Sequence, residues 1–258
     1  MLINNIDPII FILGPLTIRW YGLFLALGVI TVIILIEKIF KQRKLPIEDA
    51  YSLSLYMIVG GLLGARLGHV FFYNWEYFSQ NLSEIIFINH GGLASHGMAI
   101  GILVSLLLFK IIKKKNLGQY LDLIVIPIPL LAFFIRTGNF FNSEIGGKPT
   151  DMPWGVWFHR VDASIILRHP SQIYEALIGL IIFAIMYMIY RKFKDTQIPR
   201  YLFLNIFLLL YFSSRFIAEF FKQRHILEGS MSMGQWLSIP FILWSIYWLI
   251  KYFKQKIT

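Results

Sequence analysis

The chain has no cysteine, which excludes disulfides, thiolate metal sites and a cysteine nucleophile of its own. Charge is also scarce. Only 15% of the residues are Asp, Glu, Lys or Arg, against roughly 25% in ordinary soluble domains. With so few charges, 57% hydrophobic residues and a mean hydropathy of +0.65, intrinsic disorder and an ordinary cytosolic domain are both excluded. Paired metal-ligand spacing is absent too: the six histidines are scattered, none at the helical interval of a zinc site. No metal and no cofactor is expected.

Long apolar runs dominate what is present. Seven are long enough to cross a bilayer, near 19–37, 52–73, 92–112, 120–136, 171–190, 201–219 and 234–252. The longest remaining connection, 137–170, is too short for a substantial soluble domain. The expectation is one membrane-embedded domain over 1–258: an all-α polytopic bundle of about seven transmembrane helices with short periplasmic elements. The first residues lack a basic region and a small-residue cleavage site, so no removable signal peptide is expected. The apolar stretch 8–18, broken by Gly14 and Pro15, is too short to span and is expected along the interface.

The chain carries 24 Lys+Arg against 14 Asp+Glu, but this excess is no nucleic-acid footprint, and no nucleic-acid partner is expected. Fifteen of the basic residues fall at the connections around 38–44, 110–115, 191–200 and 251–256. By the positive-inside rule these connections are cytoplasmic, the N-terminus is outside and the C-terminus inside. The runs themselves serve topogenesis and contact with anionic lipid.

Arg66, Arg136 and Arg215 lie within or at the ends of apolar runs instead. A guanidinium at that depth costs several kcal/mol unless it is paired, so each is either a structural ion pair or part of a site. Polar residues gather toward the same outer side. Tyr21 opens the first helix, where an aromatic anchor is the simpler reading. His96 sits among small residues at the start of the third. Arg136, Asn139, Asn142 and Glu144 follow the fourth within nine residues, and Arg215 and Glu219 share a helical face on the sixth. Gly60, Gly64 and Gly68, with Gly97 and Gly101, have the spacing of close helix packing. Pro170 and Ser171 read as a capped helix start.

Arginine forks bind phosphate oxygens, the apolar helices around them can receive acyl chains, and an imidazole can move a proton. This combination suggests chemistry on a phosphate-bearing amphiphile. A transporter for an anionic solute and a non-catalytic scaffold remain alternatives, although no two-half repeat of the transporter kind is evident.

One stretch is more specific. Arg136, Gly138, Asn139, Phe140, Asn142, Glu144 and Gly147 stand in an order that resembles the signature of the prolipoprotein diacylglyceryl transferase family. Further pieces match in register: 20–23, 91–97, 168–175, 215–221 and 232–240. The resemblance implies transfer of an sn-1,2-diacylglyceryl group from phosphatidylglycerol to the lipobox cysteine of a prolipoprotein signal peptide, with release of glycerol 1-phosphate, in the bacterial cytoplasmic (inner) membrane. The site would face the outer leaflet, and the reacting thiol would belong to the substrate. Carried over by position, His96, Arg136, Arg215, Glu219 and Tyr21 are the expected catalytic residues. Arg136, Asn139, Glu144, Gly147 and Arg215 are the expected phosphatidylglycerol ligands. Either His96 accepts the thiol proton, or a nearby guanidinium lowers the thiol pKa without a side-chain base. The chain departs from the family pattern at Ile135 and Met98, where glycine is usual, and at Asn89 and His90, where tryptophan and an acid are common; His90 is a second candidate base.

Overall fold

The computed structural model describes all residues except 15, 88–90, 194–195, 224–230 and 258, and the side chains of 256 and 257. Most of the chain is helical: α1 (Trp20–Gln42), α2 (Ile47–Tyr73), α3 (Trp75–Gln80), α4 (Ser95–Lys113), α5 (Leu117–Ile124), α6 (Ile128–Phe141), α7 (Ser171–Lys192), α8 (Leu202–Ala218) and α9 (Met233–Ile257). Among the described residues six helices are long and apolar enough to cross a membrane. The expected span at 120–136 is a broken pair, α5 and α6, bent by 45°; counted as one span it makes seven. The break has a local cause in Pro127 and Pro129, which lack the amide a continuous helix needs there.

Only 28% of the most apolar window of α1 is buried within the protein, and Ile30 and Ile34 are more than half exposed. Such side chains are placed for a hydrocarbon solvent rather than for a protein core.

Short strands add to the expected helices. β1 (Leu2–Asn4), β4 (Val156–Phe158) and β5 (Leu167–Arg168) form a three-stranded sheet in the order β1-β4-β5. β1 runs parallel to β4, and β4 antiparallel to β5. The stretch 8–18 becomes an antiparallel hairpin of β2 (Ile9–Leu13) and β3 (Leu16–Arg19), turning at Gly14 with φ +56°. Its β-branched residues and left-handed glycine favour a hairpin.

The chain divides into two compact units: Met1–Ile36 with Leu121–Thr258, and Glu37–Tyr120. In the second unit α2 and α4 pack backbone to backbone. A Cβ added at Gly64 would strike the Gly97 carbonyl oxygen and come within 2.7 Å of Gly101 Cα, and one at Gly97 would meet Gly68 Cα at 2.8 Å. The packing role expected of these glycines is the observed one. In the first unit α6 and α7 approach as closely, since a Cβ at Gly179 would lie 2.7 Å from the Pro129 carbonyl oxygen.

Candidate active site

Close packing of α6 on α7 brings Arg136, near the end of α6, against Glu175, one turn into α7. Arg136 Nε lies 3.0 Å from Glu175 Oε2, without the alignment of a hydrogen bond. Glu175 Oε1 lies 2.8 Å from Lys222 Nζ and 3.9 Å from an Arg215 nitrogen. Glu219 completes the cluster, with Oε1 3.3 Å from Arg215 and 3.2 Å from Lys222. The predicted Arg215–Glu219 pairing is therefore present, one helical turn apart.

Three cations surround two carboxylates, all largely buried, which leaves one positive charge unbalanced. That excess borders a small, partly open cleft lined by Arg136, Glu175, Tyr211, Ser214 and Arg215 with the apolar Ala132 and Ile178. A net cation in low dielectric attracts an anion strongly.

The signature stretch extends the network outward from Arg136. Arg136 NH1 donates to Asn139 Oδ1 at 3.2 Å, Asn139 Nδ2 donates to Glu144 Oε2 at 2.9 Å, and Asn142 Nδ2 donates to Glu144 Oε1 at 3.0 Å. Asn139 is buried while Glu144 is exposed, so a buried guanidinium is linked to a solvent-facing carboxylate through one amide. Tyr21, at the start of α1, packs against this stretch: a Cβ added at Gly138 would lie 3.0 Å from Tyr21 Cα and 3.4 Å from its ring. After Asn142 the loop is strained, with Ser143 at φ +56° and Ile145 at φ +58°, a conformation that a β-branched residue holds only when its surroundings force it.

The restraint comes from the first residues of α7. Gln172 Nε2 donates to the Glu144 carbonyl at 2.6 Å, and Ser171 Oγ donates to the Ile145 carbonyl at 2.9 Å. From sequence, Pro170 and Ser171 read as a capped helix start. Instead Pro170 occupies the cap position with no side-chain cap bond, and the serine hydroxyl is used to hold the loop.

Gly147 sits where three segments join. Its amide donates to the His169 carbonyl at 3.0 Å, and the next amide, Lys148, donates to the Phe221 carbonyl at 2.9 Å. A Cβ at Gly147 would stand 2.7 Å from that Phe221 oxygen. Gly147 thus shapes the site through its backbone and lack of a side chain. Beyond it, Arg168 is clamped by Asp162, Nε to Oδ2 and NH2 to Oδ1 both at 2.7 Å, a hydrogen-bonded pair that raises the guanidinium pKa above its ordinary value.

On the far side, the start of α9 holds Glu219. Ser232 Oγ donates to Glu219 Oε2 at 3.1 Å while accepting the Gln235 amide at 3.2 Å; Gln235 Oε1 returns a bond to the Ser232 amide at 2.9 Å. This is a capping box at the helix start whose serine also fixes a carboxylate of the site.

Of the expected residues, Tyr21, Arg136, Asn139, Glu144, Gly147, Arg215 and Glu219 thus belong to one continuous arrangement in the first unit. His96 belongs to the second unit, exposed in the first turn of α4. His90, the second candidate base, lies outside the described residues. The sequence reading omitted Lys222 and did not place Glu175 among the site residues. Glu175 lies inside the matching stretch 168–175, and an acid four residues into an apolar run is the signal that could have found it. Lys222 carried no such mark, because its role arises only where the end of α8 folds back over α7.

The family model for prolipoprotein diacylglyceryl transferase matches residues 8–251. Among curated proteins, the chain is 43% identical over 255 residues to the phosphatidylglycerol–prolipoprotein diacylglyceryl transferase of Chloroherpeton thalassium, covering 97% of this chain and 94% of the relative. It is 42% identical over 260 residues to the protein of the same name from Tolumonas auensis, covering 99% of each. A third similar protein of that name, from Bacteroides fragilis, is 37% identical over 98% of this chain and 95% of its own length.

Proposed function

This chain belongs to the prolipoprotein diacylglyceryl transferase family, and from that premise we propose that it moves the sn-1,2-diacylglyceryl group of phosphatidylglycerol onto the lipobox cysteine of a prolipoprotein signal peptide. The observation that supports this reading best is the buried cluster of Arg136, Arg215 and Lys222 around Glu175 and Glu219, with one unbalanced positive charge beside a cleft. That charge suits the single negative charge of a phosphodiester headgroup, and the helices around it suit acyl chains.

The reaction is a displacement. The substrate thiol loses its proton, and its sulfur attacks the glyceryl carbon that bears the phosphate ester. The carbon–oxygen bond breaks, and glycerol 1-phosphate leaves with the electron pair. Arg136 and Arg215 stabilise the charge gathering on the departing phosphate; Glu175 and Glu219 hold the two guanidiniums in place before the substrate arrives. Asn139, Glu144 and Tyr21 extend the polar surface that receives the glycerol headgroup. His96 takes the thiol proton.

The reading includes a setting: a bacterial cytoplasmic (inner) membrane, N-terminus outside, C-terminus in the cytoplasm and the site toward the outer leaflet. The basic connections favour this orientation.

The test uses purified chain in liposomes, phosphatidylglycerol labelled in its acyl chains, and a lipobox peptide carrying either cysteine or serine. Label should move to the cysteine peptide alone with stoichiometric release of glycerol phosphate, and both should be lost in Arg136→Ala. A folded protein that releases glycerol phosphate without labelling the peptide, or does neither, would refute the reading.

A further inference from the structure

The second unit contains an arginine that the proposed displacement does not use. Arg66 lies in α2 and is 5% exposed. A guanidinium has five N–H donors, and among the described residues Arg66 makes five hydrogen bonds, every one to a main-chain carbonyl. Nε donates to Ile85 at 2.9 Å; NH1 to Gly91 at 2.5 Å and Gly92 at 3.2 Å; NH2 to Glu84 at 2.6 Å and Phe87 at 3.2 Å. The ring of Phe78 lies 4.9 Å from the guanidinium carbon. Of the two readings open for a buried arginine, an ion pair or part of a site, the described residues supply no carboxylate for the first; a cage of carbonyl dipoles holds the guanidinium instead.

The caged carbonyls all belong to the segment that leads into α4. Gly91 and Gly92 adopt φ +85° and +77°, left-handed conformations that turn the chain so that both carbonyls meet the same nitrogen. Two residues later the Ala94 amide donates to the Ala65 carbonyl of α2 at 2.9 Å, beside Arg66 itself. Gly97 then seats against Gly64 and Gly68 of α2. His96 therefore stands, exposed, between two anchor points on α2, and the approach to the first of them is fixed by one side chain.

We infer that Arg66 is a positioning residue for His96, acting through the carbonyls of Glu84, Ile85, Phe87, Gly91 and Gly92 to set where the α4 terminus presents its imidazole. The inference rests on the proposed role of His96 as proton acceptor. Lysine cannot substitute, because one ammonium with three donors cannot bridge carbonyls contributed by five residues.

The experiment is a double-mutant cycle on the full chain in liposomes, with transfer from labelled phosphatidylglycerol to the lipobox peptide measured for wild type, Arg66→Lys, His96→Asn and the double variant. Arg66→Lys should lower kcat at least tenfold while KM for phosphatidylglycerol stays within twofold. The double variant should match His96→Asn within twofold, since a misplaced group and an absent one cost the same. A general loss of folded protein would instead multiply with the His96 effect, and that result overturns the proposal, as does wild-type turnover in Arg66→Lys. Wild-type turnover in His96→Asn would overturn the proton-acceptor reading itself and leave Arg66 nothing to position. Should Arg66→Lys fail to fold, Gly91→Ala replaces it in the cycle: no atom lies within 4 Å of the added Cβ, so the variant disturbs the same segment through φ alone. The same non-additivity supports the inference, and a multiplicative loss overturns it.

Discussion

Oε1 of Glu175 lies 2.8 Å from Lys222 Nζ, and the same carboxylate meets Arg136 through its other oxygen at 3.0 Å. Glu175 is thus in contact with every cation of the buried cluster, whereas Glu219 reaches only Arg215 and Lys222. Removing one partner from such a group leaves uncompensated charge in a low dielectric, which is costlier than removing a matched pair.

Glu175→Gln keeps the volume and removes the charge. Three cations would then face one carboxylate, and the variant is expected to lose about 3 kcal/mol of stability and to transfer diacylglyceryl about a hundredfold more slowly, or roughly 2.7 kcal/mol of transition-state stabilisation. Adding Lys222→Met should recover part of the stability but little of the rate, because the net charge returns to one while Arg136 still lacks its orienting carboxylate. Thermal unfolding in detergent and initial transfer rates on the three variants check both halves.

Gly147 and Gly146 are neighbours with opposite tolerance. A Cβ at Gly147 would press into two main-chain carbonyls, whereas one at Gly146 would meet only Arg168 Cδ at 3.6 Å, an ordinary contact. Gly147→Ala should therefore open the junction of three segments, costing about 2 kcal/mol together with most of the transfer activity. Gly146→Ala should stay within about 0.5 kcal/mol of wild type and keep its rate. Equal behaviour of the two would mean that the junction does not control the site.

Much of this was legible in the sequence, for physical reasons that differ by residue. Long apolar runs report spans directly, since a bilayer leaves few other ways to satisfy the backbone. The six long helices and the glycine-lined contact of α2 with α4 follow from that alone. Arg136, Asn139, Glu144, Arg215 and Glu219 were found because polar groups are conspicuous among apolar neighbours. The break at Pro127 was harder to see, since hydropathy continues smoothly through a kink. The part played by Ser171 is not legible, because a serine before an apolar run has the same local signature whether its hydroxyl caps its own helix or holds a distant loop. Lys222 escaped notice because a lysine at the end of an apolar run usually faces water, and only the return of the chain after α8 buries it. The carbonyl cage of Arg66 could not be read at all, because main-chain acceptors leave no mark on composition.

Arg136 uses two of its nitrogens within the protein, Nε on Glu175 and NH1 on Asn139, and NH2 has no partner among the described residues. A fork held on two sides offers its third nitrogen in a fixed direction, which an ammonium cannot imitate. Arg136→Lys is therefore expected to fold, to keep much of the cluster's charge, and still to lose at least a hundredfold in kcat/KM for phosphatidylglycerol. Asn139→Asp should be milder in size but sharper in consequence, since a carboxylate there would repel Glu144 and compete for the guanidinium. Transfer rates over a range of phosphatidylglycerol fractions in neutral lipid separate a binding defect from a turnover defect in each variant.

The two histidines on either side of the 91–95 segment give the last contrast. His96 occupies the first turn of α4, exposed and bracketed by Ala94 and Gly97, which are both fixed against α2; His90 precedes Gly91 and Gly92 in the sequence. A proton acceptor must be presented repeatably to within a fraction of an ångström, and the anchoring on both sides of His96 supplies that. His96→Asn is expected to lose most transfer activity, on the order of a hundredfold for the loss of a general base, while His90→Asn should remain within twofold of wild type. A lipobox peptide bearing a more acidic thiol should narrow the deficit of His96→Asn, because less help is needed to ionise it. Measured on the same liposomes, an unchanged deficit with the acidic thiol would show that His96 acts by something other than taking the proton, and a larger loss in His90→Asn than in His96→Asn would move the base to the other histidine.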